Sequence, residues 1–96
     1  MLIKLQFDST DYDIIDVPAK IMDYYNENSG DFYDRLYDWL REKGEPFYCR
    51  GCYSYAEVEI IEWINSELLK DTEEKVKIVE QRRIDSAYDN LPIMSF

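Results

Sequence analysis

The chain has 96 residues, with 21 acidic side chains against 11 basic ones and a formal net charge of −10. This length predicts one domain over residues 1–96 with one modest core, and the 46% hydrophobic content argues against disorder. The charge repels nucleic acid and anionic lipid, so it disfavours direct DNA, RNA or membrane binding and favours a basic protein partner. The alternative interpretation is that the net charge only keeps the protein in solution.

No segment has the properties of a membrane span or a secretion signal. The sequence contains no run of about 18 consecutive apolar residues. Its first ten residues, "MLIKLQFDST", lack a basic region followed by a long apolar stretch. We therefore expect a cytoplasmic protein, in which two nearby cysteines act as thiols or metal ligands more often than as a structural disulfide.

The first third of the chain predicts one or two strands and a helix. Apolar and polar side chains alternate over residues 2–7, which is typical of a half-buried strand. Residues 14–17, "IIDV", form either a short second strand or the approach to a helix. Pro18 suits the first turn of that helix, because its missing N–H has no partner there. The helix would have Asp16 as its N-cap and would end near Asn28.

A second helix is predicted from about Asp31 to Lys43. Gly44 is well suited to end it, because glycine adopts the left-handed conformation common after a helix. Pro46 disfavours any continuation. Its apolar stripe would consist of Tyr33, Leu36, Tyr37 and Leu40.

The third helix has the most distinct start signal in the chain. Ser54 and Glu57 match an S-x-x-E capping box, and Tyr53 with Val58 can form the hydrophobic staple beside it. The helix would then begin at Tyr55. Its buried face would comprise Val58, Ile61, Ile64 and Leu68, flanked by Ile60 and Trp63.

A late strand completes the predicted fold. Residues 75–81, "KVKIVEQ", would direct Val76 and Ile78 inward, and the tail from residue 84 onwards has scattered apolar residues without a period. We expect this tail to lie partly against the body. The predicted class is α+β: a small antiparallel sheet, pairing the N-terminal strand with the late strand, packed against about three helices.

Cys49 and Cys52 form a C-x-x-C pair in a chain that has no histidine. A structural zinc site needs four ligands, so carboxylates or a second subunit's cysteines would have to complete it. A redox role would draw on Arg50 to lower the thiol pKa, but the β–α–β frame that usually accompanies such a motif is absent. The favoured interpretation is packing, with cysteine as a small apolar residue among aromatics, so that the loop lies against the core or a partner. The main expectation is no cofactor, and zinc is the alternative.

The sequence contains no recognisable catalytic signature. Without histidine, a general base would have to be a carboxylate, a tyrosine or a lysine. No spacing matches a nucleophile elbow, a phosphate-binding glycine loop or a zinc protease motif. We therefore predict that the protein is not an enzyme.

The second predicted helix carries a row of acids spaced three, four and four residues apart: Asp31, Asp34, Asp38 and Glu42. This spacing places them on one helical face, about 5–6 Å apart, over a length of about 16 Å. Such a row resembles the phosphate spacing of one nucleic-acid strand and would complement a basic groove. The alternative is an ordinary solvated face, partly neutralised by Arg35 and Arg41.

Nine tyrosines are too many for full burial in a core of this size. Tyrosine is enriched at protein interfaces, and its ring can stack on guanidinium groups. The predicted partner-binding surface therefore extends from the acidic row to Asp23, Tyr24, Tyr25 and Glu27.

The stretch "DSTDYDIIDVPAKIMDYYNENSGDFYD", the short length, the charge of −10 and the lack of catalytic motifs resemble small acidic inhibitors encoded by phages and mobile elements. These include anti-CRISPR proteins and other DNA mimics. The resemblance implies a non-enzymatic inhibitor, acting in the host cell cytoplasm, that binds a basic nucleic-acid-handling protein such as a nuclease or a CRISPR effector. The alternative is a general protein-interaction module or small complex subunit, stapled by zinc at Cys49 and Cys52. The sequence gives no indication of oligomeric state.

Overall fold

The computed structural model describes residues 1–7, 11–84 and 87–96, and these confirm the predicted α+β class. A π-helical turn, Ile64–Leu68, directly continues the third helix. The elements in chain order are β1 (Leu2–Gln6), β2 (Tyr12–Asp16), α1 (Ala19–Glu27), α2 (Ser29–Lys43), β3 (Tyr48–Cys49), β4 (Cys52–Tyr53), α3 (Glu57–Trp63), β5 (Lys77–Arg83) and β6 (Ile93–Ser95).

The main sheet has four strands in the order β5-β2-β1-β6. β2 pairs antiparallel with both β1 and β5, whereas β6 pairs parallel with β1. The sheet is therefore mixed, and the predicted pairing of the N-terminal strand with residues 75–81 is wrong, because β2 lies between them. β2 and β1 are the two inner strands, and the residues of β2 from Tyr12 to Ile15 are all buried. β6, only three residues long, is too short to produce a recognisable sequence period.

One hydrophobic core lies between the sheet and the helices. Phe32 of α2 and Trp63 of α3 are fully buried there, with their ring centroids 4.9 Å apart. The other members of this core are Ile3, Leu5, Ile15, Val17, Ile21, Met22, Leu36, Leu40, Ile60, Ile64, Leu69, Val76 and Met94.

The boundaries of the first two helices differ from the prediction by a few residues. Asp16 is not the N-cap of α1, because it ends β2, and its carboxylate accepts a hydrogen bond from the N-terminal ammonium group at 3.0 Å. Pro18 takes the N-cap position instead. Asn28 both closes α1 and precedes α2, which therefore begins at Ser29. Gly44 ends α2 with a φ of 70°, as predicted.

The start of α3 lies two residues later than the predicted capping box. The Glu59 carboxylate accepts the Ala56 backbone N–H at 2.9 Å, and the helix begins at Glu57. Ser54 does not form the predicted capping box with Glu57, because its N–H donates to the Phe47 carbonyl at 2.8 Å instead of to the Glu57 carboxylate.

This shift changes which face of α3 is buried. Ile60 and Trp63, predicted only to flank the core, are fully buried in it. Val58, predicted as a core residue, is 57% exposed. Ile64 is buried as predicted, while Ile61 and Leu68 pack partly against the core.

β5 forms one edge of the sheet, and its burial differs from the prediction. Val76, just before the strand, is buried as predicted. Ile78 lies opposite the buried Ile15 but remains 39% exposed. The inward prediction for Ile78 is wrong, since an edge position is covered less completely than the neighbouring central strand.

A bulge near the end of β5 explains a buried carboxylate. Arg82 adopts a φ of 54°, and the register between β2 and β5 shifts in this region. The Asp13 side chain is only 6% exposed and accepts the Arg82 backbone N–H at 2.9 Å. Asp13 thus satisfies a donor that the bulge turns away from the strand ladder.

Replacing Asp13 with alanine should lower the free energy of unfolding by about 1–3 kcal/mol, because the Arg82 N–H loses its acceptor. Asp13→Asn retains an acceptor oxygen and should cost clearly less. Urea denaturation of the two variants measures the difference. Equal losses in both would show that the carboxylate stabilises the fold in some other way than through this hydrogen bond.

Candidate functional site

The structure places the four acids of the predicted row on the solvent face of α2. A helix turns by about 100° per residue, so Asp31, Asp34, Asp38 and Glu42 span about 80° of arc. All four are exposed. The buried residues of the same helix, Phe32, Leu36 and Leu40, occupy the opposite side. The solvent face is therefore open to a partner without any rearrangement of the core.

Two of these acids already have partners within the chain. Asp31 accepts a hydrogen bond from the Tyr24 hydroxyl, and Asp38 pairs with Arg41. Arg35 donates to the Tyr24 hydroxyl at 3.2 Å, and its guanidinium lies 5.7 Å from the centre of that ring. Partial burial, followed by the bond to Asp31, raises the pKa of Tyr24 and keeps its hydroxyl a donor at neutral pH.

The other two acids of the row are uncompensated. Asp34 and Glu42 have no hydrogen bond or ion pair with any residue that the structure describes. Arg41 pairs with Asp38, whereas Arg35 donates to the neutral Tyr24 hydroxyl and remains a cation on this face without an ion pair to Asp34 or Glu42. The middle and the end of the row thus present free negative charge.

A shallow groove runs beside the row, between α2 and the turn that continues α3. Its lining comprises Arg35, Asp38, Trp39, Glu42, Trp63 and Glu67, and we call it the acidic groove. The lining thus combines three carboxylates and one guanidinium group with two indole rings. Trp39 is half-buried, so part of its ring faces solvent, whereas Trp63 forms the floor.

Trp39 in the groove already accepts one cation from the chain itself. The Lys43 ammonium lies 4.4 Å from the centre of the Trp39 ring and 3.5 Å from the Glu62 carboxylate. An indole is the strongest of the aromatic cation acceptors. The surroundings of Trp39 therefore favour ammonium or guanidinium groups, and Lys43 of the chain already supplies one.

Glu67, Trp39 and Trp63 were missed by the sequence-based site prediction. Glu67 follows Trp63 by four residues, and this spacing places both on one helical side. The spacing of Trp63 and Glu67 was visible in the sequence, but the sequence did not show that α2 lies across the groove from them.

The remaining predicted site residues lie outside the groove. Asp23 and Glu27 are exposed on α1 and have no ion pair with any described residue. The Tyr25 hydroxyl lies 2.8 Å from that of Tyr33 and accepts the Ser95 N–H at 3.2 Å. Tyr25 thus helps to hold β6 against the helices, and its contact with a partner stays a prediction.

Cys49 and Cys52 are exposed thiols, so the prediction that they pack against the core of this chain is wrong, while packing against a partner stays a prediction. The Cys49 thiol donates to the Glu45 carboxylate at 3.2 Å, and this bond raises the pKa of Cys49. Among the residues that the structure describes, no group of three potential ligands is arranged to hold a metal ion.

The fold and the groove define a small α+β protein with an acidic, tryptophan-lined surface. No protein-family model, curated protein or solved structure shows a significant match to this chain. In the described part of the chain, every helix is too short or too polar to cross a bilayer.

Proposed function

We propose that this protein is a non-enzymatic inhibitor that binds a basic, nucleic-acid-handling protein, for example a nuclease or a CRISPR effector. The observation that carries the proposal is the acidic face of α2 beside the acidic groove, on which Asp34 and Glu42 make no ion pair with any described residue. The partner's nucleic-acid channel would receive this face in place of phosphates and so lose access to its substrate. The host cell cytoplasm is the proposed compartment.

The spacing of the charges supports mimicry of a nucleic-acid strand. Successive acids of the row lie about one helical turn apart, at roughly 5–6 Å. Lysines and arginines that line a channel are positioned to neutralise phosphates of similar spacing. A rigid helix presents its charges without the ordering cost that a flexible acidic segment would incur.

The groove supplies a second element, a cation-accepting ring at Trp39 for which an arginine of the partner would compete with Lys43 of the chain. A guanidinium group can stack on the open part of Trp39 while it pairs with Asp38, Glu42 or Glu67. Stacking and bidentate pairing together favour arginine over lysine. Binding would thus combine a long-range attraction along α2 with one anchored contact.

A general protein-interaction module is the second candidate. The observation that favours it is a set of exposed apolar side chains on and after β5, away from α2. Val79 is 50% exposed and Ile84 81%, in addition to Ile78. Such side chains suit a stable subunit interface rather than a basic channel. In this role the zinc staple at Cys49 and Cys52 would need ligands from a second subunit.

Affinity capture from bacterial lysate, followed by elution with duplex DNA, separates the two candidates. We expect the immobilised protein to retain a nucleic-acid-handling protein that excess duplex DNA releases, because both ligands compete for one basic channel. The protein itself should not bind the duplex at physiological salt. A retained partner that DNA does not displace would favour the interaction module, and micromolar binding of the duplex would contradict the charge argument.

A further inference from the structure

The two cysteines of the C-x-x-C motif flank the two-residue turn of a β-hairpin. Cys49 and Cys52 are direct cross-strand partners in the β3–β4 pair. Arg50 and Gly51 form the turn, with φ values of 53° and 81°. Positive φ at both central residues is the requirement of the type I′ turn, the turn that matches the twist of paired strands.

From this pairing we expect the Cα atoms of the two cysteines to lie within the range that a disulfide needs. Directly opposed residues of an antiparallel pair have Cα atoms about 4.5–5.5 Å apart, and a disulfide needs about 4.4–6.8 Å. Opposed side chains also leave the sheet on the same face. Both thiols are exposed, so a small reagent can reach either one.

The hairpin is held in place independently of the cysteines. The Tyr53 ring lies 4.7 Å from the Tyr37 ring of α2 and 5.0 Å from the Tyr48 ring, between centroids. The Ser54 N–H donates to the Phe47 carbonyl at 2.8 Å and closes the base of the hairpin. The opposed position of the thiols is therefore a property of the folded chain and precedes any bond between them.

We propose that Cys49 and Cys52 are an oxidation site, at which a low-molecular-weight disulfide such as oxidised glutathione converts the thiol pair into an intramolecular disulfide. One thiolate attacks the reagent, forms a mixed disulfide and releases one reduced thiol. The second cysteine then attacks the protein sulfur of that mixed disulfide and releases the other. Two protein thiols are oxidised and one reagent disulfide is reduced to two thiols, so electrons and protons balance.

The proposal does not depend on the proposed inhibitor function.

The Glu45 carboxylate, which accepts the Cys49 S–H, disfavours the thiolate of Cys49. Oxidation should therefore accelerate as pH rises, because the thiolate is the attacking species.

Incubation of the folded protein with oxidised glutathione, followed by intact-mass analysis and thiol titration, tests the proposal. We expect the mass of two hydrogens to be lost, no glutathione to be retained and no titratable thiol to remain, all reversed by a reductant. Cys49→Ser and Cys52→Ser should each instead retain one glutathione. Stable double adducts on the native chain, or disulfide-linked dimers, would overturn the proposal.

A second pair of variants tests whether formation of the disulfide depends on the hairpin geometry. Gly51→Ala keeps both cysteines but places a Cβ in the left-handed conformation, which costs about 1–2 kcal/mol. The ratio of closed disulfide to mixed adduct should fall about fivefold or more. Gly30→Ala, in α2 and with open space around it, should leave the ratio unchanged. An unchanged ratio in Gly51→Ala would show that the turn does not position the thiols.

Discussion

Changing Asp34, Asp38 and Glu42 together to Asn, Asn and Gln should slow association with the captured basic partner by roughly 10- to 100-fold at low salt. Exposed charges act mainly by steering the encounter, so the association rate should change more than the dissociation rate. Asp31 is left intact because it accepts the Tyr24 hydrogen bond, and its loss would disturb the contact between α1 and α2. Stopped-flow or surface-based kinetics would measure both rates.

The matched control removes the same number of charges elsewhere. Asp71, Glu73 and Glu74 are exposed in the connection between α3 and β5 and have no ion pair with any described residue. Their neutralisation alters the net charge equally but leaves α2 unchanged. Equal slowing in both triple variants would show that only the total charge matters, and mimicry by the α2 row would then be wrong.

Ionic strength provides an independent check of the same interaction. The Debye length falls from about 10 Å at 0.1 M salt to about 3 Å at 1 M. The difference between the native chain and the α2 variant should therefore shrink as salt is added. A difference that salt does not change would indicate direct contacts of these side chains rather than steering.

Phe32→Ala should lower the free energy of unfolding by about 3–5 kcal/mol, at the upper end of the range for core substitutions. Phe32 is fully buried at the centre of an aromatic cluster. Its ring lies 4.9 Å from Trp63, 5.2 Å from Tyr25 and 5.6 Å from Tyr24, between centroids. A domain of this size is stable by about 5–15 kcal/mol in total, so the cavity should remove a large share, measurable by urea denaturation.

Val58→Ala provides the contrast, because sequence periodicity assigned Val58 to the core and the structure exposes it. The substitution should change stability by no more than about 0.5 kcal/mol, as for other surface positions. A loss clearly above that value would mean that α3 buries the face originally predicted. The pair of variants thus tests the helical register of α3 by a route independent of binding.

How well each helix or strand could be predicted depended on the length and the local character of its sequence pattern. The apolar stripe of α2 repeats over about two turns and Gly44 follows the last helical residue, so the extent of the helix was predictable to within two residues. The capping signal at Ser54 was a local match that a tertiary contact overrode, because Phe47 accepts the Ser54 N–H. β6 pairs with β1 from the far end of the chain, and three residues contain too little period to be recognised.

The candidate site likewise has one part that the sequence predicted and one part that it did not. The acidic row could be predicted in full, because spacings of three and four residues determine a helical face without reference to the rest of the fold. The acidic groove could not, since Glu67 and Trp63 reach α2 only when α3 packs against it.

The sequence by itself determined the acidic character, the α+β class and the solvent face of α2, because composition and local periodicity suffice for each. Only the tertiary structure decided the central position of β2, the buried face of α3 and the groove beside Trp39. It also decided that Cys49 and Cys52 oppose each other across a hairpin instead of packing inside. These features depend on contacts between residues distant in sequence, or on competition among hydrogen-bond acceptors, and local patterns carry no information about either.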